Sequence, residues 1–395
     1  MKKIYLLCLV LIWIPSLSVA HANTDGLIIV WTQTDALYIW RNGETHDIEL
    51  SGTFKPILSP NAERLVLIPI NDDGMPTSFM TMRLDGSDRY AIDIPYPNQI
   101  VWQSDTVFWV NNYRRLPEGS MTPFDLNNRL YRVDAQTGTI DEWEVDDAFI
   151  MTISPDGAHM IIAQAGQYPQ IAGVIEHISL IDDDIQPVEL FRFPSVSFAS
   201  HIGYYPVVQF IADGTLRVAI PAPDAVYAVG ADTPPTQLWR LTYDGQHTLL
   251  GEVQAQFYAG VVWSVDGERL SYIMPTTEGD MLVIASPTGE IIDHQRLDNP
   301  FGFIIPAPMS ATFLYWDVRQ NGRLMTYADD MPLQEWLSVE GCRMTLTSMS
   351  SYGVTVMCNS DSDMRIGYAF FGDKTIYEIV KISEFPLIDV KWLEK

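Results

Sequence analysis

Apolar residues along this chain come in short runs, each closed by a tight cluster of Ser, Pro, Asp, Asn or Gly and then followed by another apolar run. The clearest case is Ser154-Pro155-Asp156-Gly157 leading into Ala158-His159-Met160-Ile161-Ile162. Ser59-Pro60-Asn61 precedes Leu65 to Ile68, Ala212-Asp213-Gly214 precedes Leu216 to Ile220, and Val265-Asp266-Gly267 precedes Leu270 to Ile273. Fainter copies centre on Ser104-Asp105, Met309-Ser310 and Ser350-Ser351. Successive copies lie roughly 40–57 residues apart, a span that suits a four-stranded propeller blade. Between them sits a second hairpin with a glycine-bearing turn, as in Met80 to Gly86, Leu130 to Gly138, Leu238 to Gly245 and Met281 to Gly289. Asp-Gly pairs supply the positive φ that such turns require. No stretch sustains a helical period, and 25 prolines with 25 glycines punctuate the chain at strand-length intervals.

Two hairpins per repeat give four antiparallel strands, A to D. Strand D lies outermost and should be the most polar, as Gly138 to Val145 and Gln246 to Val253 are. The fold class this predicts is all-β: a single β-propeller of four-stranded antiparallel blades over 23–395. The ends set the count. Leu27 to Thr32, Ala36 to Trp40 and Thr45 to Leu50 read as strands B, C and D without an A, while Pro386 to Trp392 reads as a lone A. Pairing them closes the ring, and seven internal A–B turns plus that closure make eight blades; one misread copy leaves seven. The pattern resembles the repeats of TolB-type, WD-like propellers, in which a Ser-Pro-Asp-Gly turn opens each blade. Ser154 to Gly157 matches in full and the other copies in part. The resemblance spans nearly all of the chain after the N-terminal segment and implies fold rather than function.

Lys2 and Lys3, the apolar stretch Ile4 to Ile14, and the small residues up to Ala22 have the layout of a secretory signal peptide cleaved after Ala20 or Ala22. The stretch is shorter than the roughly 20 residues a membrane span needs, and a retained anchor is the alternative. Later segments hold no candidate span, so a soluble periplasmic or secreted protein is expected. Of the three cysteines, Cys342 and Cys358 lie beyond this segment and flank the last A–B turn symmetrically about residue 350. Residues equidistant from a hairpin turn face each other, so in an oxidising compartment they are expected to form a cross-strand disulfide; two buried thiols are the alternative.

The formal charge of −26 falls to −28 once Lys2 and Lys3 are removed. Such a surface repels phosphate backbones, which argues against nucleic acid as partner, and leaves proteins, peptides and glycans. Strand direction puts every A–B and C–D turn at one end of the blades and every B–C and D–A connection at the other. The longest connections, 111–128, 164–176, 221–236 and 194–205, all fall at the second end, which makes it the expected functional face. Its candidate ligand-binding residues are Tyr113, Arg114 and Arg115 in the first connection and His201, Tyr204 and Tyr205, beside Phe198, in the last. Arginine beside tyrosine suits carboxylate or sugar recognition, although a pairing of the arginines with Glu118 or Asp125 and a packing role for the aromatics fit equally.

Chemical motifs are sparse. Asn359-Ser360-Asp361-Ser362-Asp363 alternates oxygen ligands as a calcium loop does, yet lacks its glycine and distal glutamate. Asp182-Asp183-Asp184 falls where a C–D turn is expected. The histidines show no zinc spacing, and there is neither a Gly-x-Ser-x-Gly elbow nor a phosphate-cradling glycine loop. No catalytic residue, metal site or cofactor is assigned. The expected function is a binding or scaffold propeller, the alternative a propeller lyase or glycosidase acting on a polysaccharide or small molecule.

Overall fold

The computed structural model describes residues 26–393 apart from positions 34, 71–75, 77, 116–123, 146–148, 165–171, 182–184, 195, 198–202, 205, 223–233, 257–259, 299–301, 308–311, 318–321, 329–330, 340, 352, 360–362, 372–374 and 383–386. Segment 1–22, assigned above to a signal peptide, lies outside the described residues. The described residues contain no helix; they form eight four-stranded antiparallel sheets and one two-stranded ribbon. The sheets are the blades of an eight-bladed propeller. Blade 1 combines residues 27–49 with Leu387–Trp392, and blades 2 to 8 follow as 54–92, 97–144, 149–194, 207–253, 261–296, 302–337 and 343–382. Eight, rather than seven, is the count that the termini and the seven A–B turns had indicated.

The turns explain why these residues start each blade. In blade 4 the Ser154 hydroxyl donates to Asp156 Oδ1 (2.5 Å) and accepts from the His159 N–H (2.9 Å), while Asp156 Oδ1 also accepts from Ala158 N–H (3.0 Å). Ser264 with Asp266 repeats this cage in blade 6, and Ser59 with Asn61 repeats it in blade 2. A short oxygen-bearing side chain two residues after a serine is therefore what pins the turn, through local side-chain bonds that compete with strand pairing. Gly157 completes it at φ +70°, where an added Cβ would sit 2.5 Å from the Gln103 carbonyl of blade 3.

The core is distributed. Each of the eight seams between neighbouring blades holds its own buried apolar cluster, such as Ile28, Val30, Leu37, Leu65 and Met82 between blades 1 and 2. Polar side chains on the innermost strands tie one blade to the next. Gln99 of blade 3 accepts from Ile150 N–H (2.9 Å) and donates to its carbonyl (2.8 Å) in blade 4. Gln209 of blade 5 grips the backbone of Trp263 in blade 6 in the same way (3.1 and 2.8 Å).

Closure uses the same device. Leu27–Gln33 pairs antiparallel with Leu387–Trp392, from Leu27 opposite Trp392 to Thr32 opposite Leu387. Asp389 Oδ2 accepts from Leu58 N–H of blade 2 (2.6 Å), and Trp392 Nε1 donates to the Thr355 hydroxyl of blade 8 (2.9 Å). Withdrawal from water raises the Asp389 carboxyl above its ordinary value, outweighing those bonds and the nearby Lys391 and Lys55.

Cys342 and Cys358 form a disulfide with a Cα–Cα distance of 5.4 Å. Its placement differs from the symmetric expectation. The partner directly opposite Cys358 is Met344, and an irregularity between Leu346 and Ser348 shifts the register. The turn centres later than residue 350, with Ser350 N–H bonded to the Gly353 carbonyl (2.9 Å). Cys342 therefore reaches Cys358 diagonally from just before strand A of blade 8 (Arg343–Met349).

Replacing both cysteines by serine is expected to cost about 3 kcal/mol of unfolding free energy, the chain entropy released by a loop of roughly 15 residues; urea titration with and without reductant measures it. Asp389 binds its proton more tightly folded than unfolded, so its contribution is full below pH 3.8 and lost as pH rises through the raised value. Asp389→Asn does not ionise; its Tm relative to wild type is expected to rise across that window, and a constant difference would refute the assignment.

Candidate functional site

On the B–C and D–A face the connections are uneven. Between strands B and C they span 70–78 in blade 2, 116–123 in blade 3, 165–171 in blade 4 and 221–235 in blade 5, against 34–35 in blade 1 and 277–278 in blade 6. The longest thus belong to consecutive blades, on one sector of one face.

The stretch 111–128, expected as a loop, is paired at both of its ends, and 116–123 lie outside the described residues. Val107–Arg115 and Phe124–Asp134 continue as an antiparallel ribbon beyond blade 3, with Tyr113 opposite Leu126, Arg114 opposite Asp125 and Arg115 opposite Phe124. A protruding segment satisfies its backbone groups by pairing with itself. Buried asparagines lock its root: Asn98 Nδ2 donates to Asn111 Oδ1 (3.1 Å), Asn112 Nδ2 to the Pro95 carbonyl (2.9 Å), and Tyr113 N–H to the Tyr96 carbonyl (2.9 Å). Tyr113 is half-buried there. The connection 194–205 likewise contains a ribbon, Val196–Ser197 against Gly203–Tyr204. His201, Tyr205 and Phe198 lie outside the described residues, as do the side chains of Arg114, Arg115 and Tyr204. The fold thus sets Tyr113, Arg114 and Arg115 on one strand of blade 3 and Tyr204 on the ribbon between blades 4 and 5, all on the same face.

Of the calcium-like run, Asp361 lies outside the described residues. Asp363 is committed to cations, with Arg365 Nε at 3.2 Å and the Lys381 ammonium beside it. Asp182, Asp183 and Asp184 also lie outside.

The opposite face, that of the A–B and C–D turns, holds two features that sequence spacing did not reveal. The first is a pair of histidines at the seam of blades 4 and 5. His159 opens strand B of blade 4 (His159–Gln164) and His177 nears the end of strand C (Ala172–Ser179); the register sets them diagonally on the side facing blade 5. His159 Nδ1 lies 2.9 Å from His177 Nε2, and Tyr243 from the C–D turn of blade 5 covers both rings at 4.4 and 5.1 Å. Burial, then the charge of His159, lowers the His177 pKa. Burial and the Asp156 carboxylate raise that of Tyr243. Eighteen positions separate the histidines in sequence, and only the B–C register brings them together.

The second feature is an open groove of about 570 Å³ at the seam of blades 1 and 2. Ile39, Ile48, Ala62 and Leu84 give it an apolar lining; Arg41, Glu44, His46, Asp47, Glu63, Arg83 and Asp85 give it charge of both signs. Strand D of blade 2, beside this seam, is only Tyr90–Ile92, and the groove runs from Ala36–Arg41 and Glu44–Glu49 of blade 1 to the A–B and C–D turns of blade 2. Asp85 is held well below the usual carboxylate range by the hydroxyl and N–H of Ser87.

No protein-family model and no curated protein matches the sequence. Among solved structures, the chain is similar to a eukaryotic initiation factor at 9% identity over 93% of this chain and 98% of that one, with a TM-score of 0.51. It is also similar to TolB from Acinetobacter baumannii (13% identity, 67% and 62% covered, TM-score 0.34). A third is the acylaminoacyl peptidase of Pyrococcus horikoshii (11% identity, TM-score 0.45), where 90% of this chain spans 51% of that one. At such identities the likeness is one of fold.

The lowered His177 pKa means the unfolded chain binds more protons than the folded one once pH drops below the ordinary imidazole value of 6.5. Stability is therefore present above that value and lost as pH falls through the lowered one. His177→Gln is expected to lose less Tm than wild type between about pH 7.5 and about pH 5, as differential scanning fluorimetry in matched buffers reads directly.

Proposed function

We propose that this chain is an exported, non-enzymatic binding or scaffold propeller that engages a protein, peptide or glycan through its B–C and D–A face. The observation that carries this reading is the gathering of the longest connections of blades 2 to 5 on one sector of that face. Their base is a closed ring of eight paired sheets, and extended connections on a rigid frame are where recognition concentrates. Tyr113, Arg114 and Arg115 stand on a strand whose backbone is fixed by pairing and by buried asparagines at its root, so a ligand meets a backbone that needs little ordering. Tyr204, with His201 and Tyr205 near it in sequence, supplies the second arm.

Export follows from the layout of residues 1–22 and is supported by the Cys342–Cys358 disulfide, which persists in oxidising compartments. Cleavage after Ala20 or Ala22 would release the propeller to the periplasm or the medium. The charge of −26 favours neutral or basic partners over nucleic acid.

Crosslinking capture from the cell envelope, run in parallel with a glycan array, tests the reading. Wild type is expected to retain a partner that the Arg114→Glu, Arg115→Glu double variant loses, while Glu290→Gln, in the C–D turn of blade 6 on the opposite face, retains it. Equal retention by wild type and double variant, or none by wild type, would overturn the face assignment.

A further inference from the structure

We propose that the groove at the seam of blades 1 and 2 binds a short peptide segment carrying both a basic side chain and a carboxylate. The site lies on the turn face and stands independently of the reading given for the other face.

Its construction selects the ligand. Ile39 lies opposite His46 and Arg41 opposite Glu44 in the register of blade 1, so these four side chains share one side of the blade. Gly86, at φ +83° in the C–D turn of blade 2, approaches Ile48 closely and closes one side of the groove. The volume of about 570 Å³ falls within the roughly 300–1,000 Å³ of ligand pockets.

Some of the charges are already matched. Glu44 lies 3.7 Å from His46, and Asp85 takes Ser87 with Arg83 at 4.0 Å. Among the described residues, the side chains of Arg41 and Glu63 form no hydrogen bond or ion pair, which leaves one guanidinium and one carboxylate facing solvent over an aliphatic floor, while Asp47, opposite Tyr38, points to the other side of the blade. Free groups of both signs disfavour a simple anion or cation. The described lining has no Phe, Tyr or Trp on which a sugar would stack.

A peptide meets all three conditions. The aliphatic stem of a lysine or arginine lies along Ile39, Ile48 and Leu84 while its head reaches Glu63, as long cationic side chains do on apolar surface. Arg41 takes a carboxylate in two parallel hydrogen bonds, a recognition geometry an ammonium does not offer. The charge of −26 draws such a segment in when it is net basic.

The probe is an immobilised hexapeptide array in which two positions run through all pairings of Lys, Arg, Asp, Glu, Leu and Ser, read with labelled full-length protein at low salt. Wild type is expected to retain peptides that combine a basic with an acidic residue. Arg41→Ala should weaken retention about tenfold, the loss of one charge-assisted contact. Glu63→Lys should move the preference at the basic position toward acidic residues. Both substituted residues are exposed groove residues, and a thermal melt of each variant shows whether it is folded; Glu63→Gln, with a smaller perturbation, stands in if Glu63→Lys melts early. No mixed-charge preference in wild type, or the same peptide set retained by wild type and a folded Arg41→Ala, Glu63→Gln variant, would overturn the assignment and leave the other face untouched.

Discussion

The ring depends on one pairing, that of Leu27–Gln33 with Leu387–Trp392. It joins strands at opposite ends of the chain, and its cost can be set against its return. Closing a loop of about 360 residues instead of about 15 costs only about 3 kcal/mol more, because loop entropy grows with the logarithm of length. Leu27, Ile28, Ile29 and Val30 are fully buried between neighbouring sheets, and each such side chain returns roughly 1.5–3 kcal/mol. The burial of one four-residue run therefore outweighs the added cost of bringing the ends together. Gly26 at φ +89° makes the last turn of the joint, where its carbonyl accepts from Leu393 N–H (2.8 Å) and a side chain would strike the Leu393 backbone.

Closure also removes the one seam at which the ring would open. The apolar clusters lie between blades, so each blade is stable only with a neighbour on both sides, and a missing neighbour would expose two clusters at once. The clamps of Gln99, Gln209 and Asp389 follow the same logic: each reaches from an innermost strand to the backbone of the next blade. Asp389 does so with a carboxyl that desolvation penalises, a sign that its acceptor geometry matters more at this joint than the comfort of its charge. The frame that results carries unlike faces, with extended connections of blades 2 to 5 on one and pinned turns on the other.

Much of the frame was legible in the chain because its determinants are local. Ser154, Asp156 and Gly157 lie within four positions and bond to one another, so the turn can be recognised wherever the three recur. The polar D strands, Ile140–Glu144 and His247–Val253, face water as their composition indicated. The extent of one connection was overestimated: 111–128 was read as a loop, yet Val107–Arg115 and Phe124–Asp134 pair well into it, because two neighbouring segments meet their backbone needs in each other. The disulfide was foreseen as a pair and misjudged in register, since the turn is centred between Ser350 and Gly353 rather than on residue 350 and sets Met344, not Cys342, opposite Cys358.

By itself the sequence determined an all-β chain of repeated hairpins whose ends join, and it narrowed the count to eight or seven blades and set Cys342 near Cys358 across one turn; the structure decided for eight blades and for the disulfide. The repeated hairpins follow from turn chemistry and alternation, which act over a few residues. Tertiary structure alone decided which side chains meet across a seam. His159, His177 and Tyr243 come from two blades, and the groove brings Arg41 of blade 1 beside Glu63 of blade 2. No periodicity encodes such meetings, because they depend on the angle and length of neighbouring sheets rather than on the order of residues in any one of them.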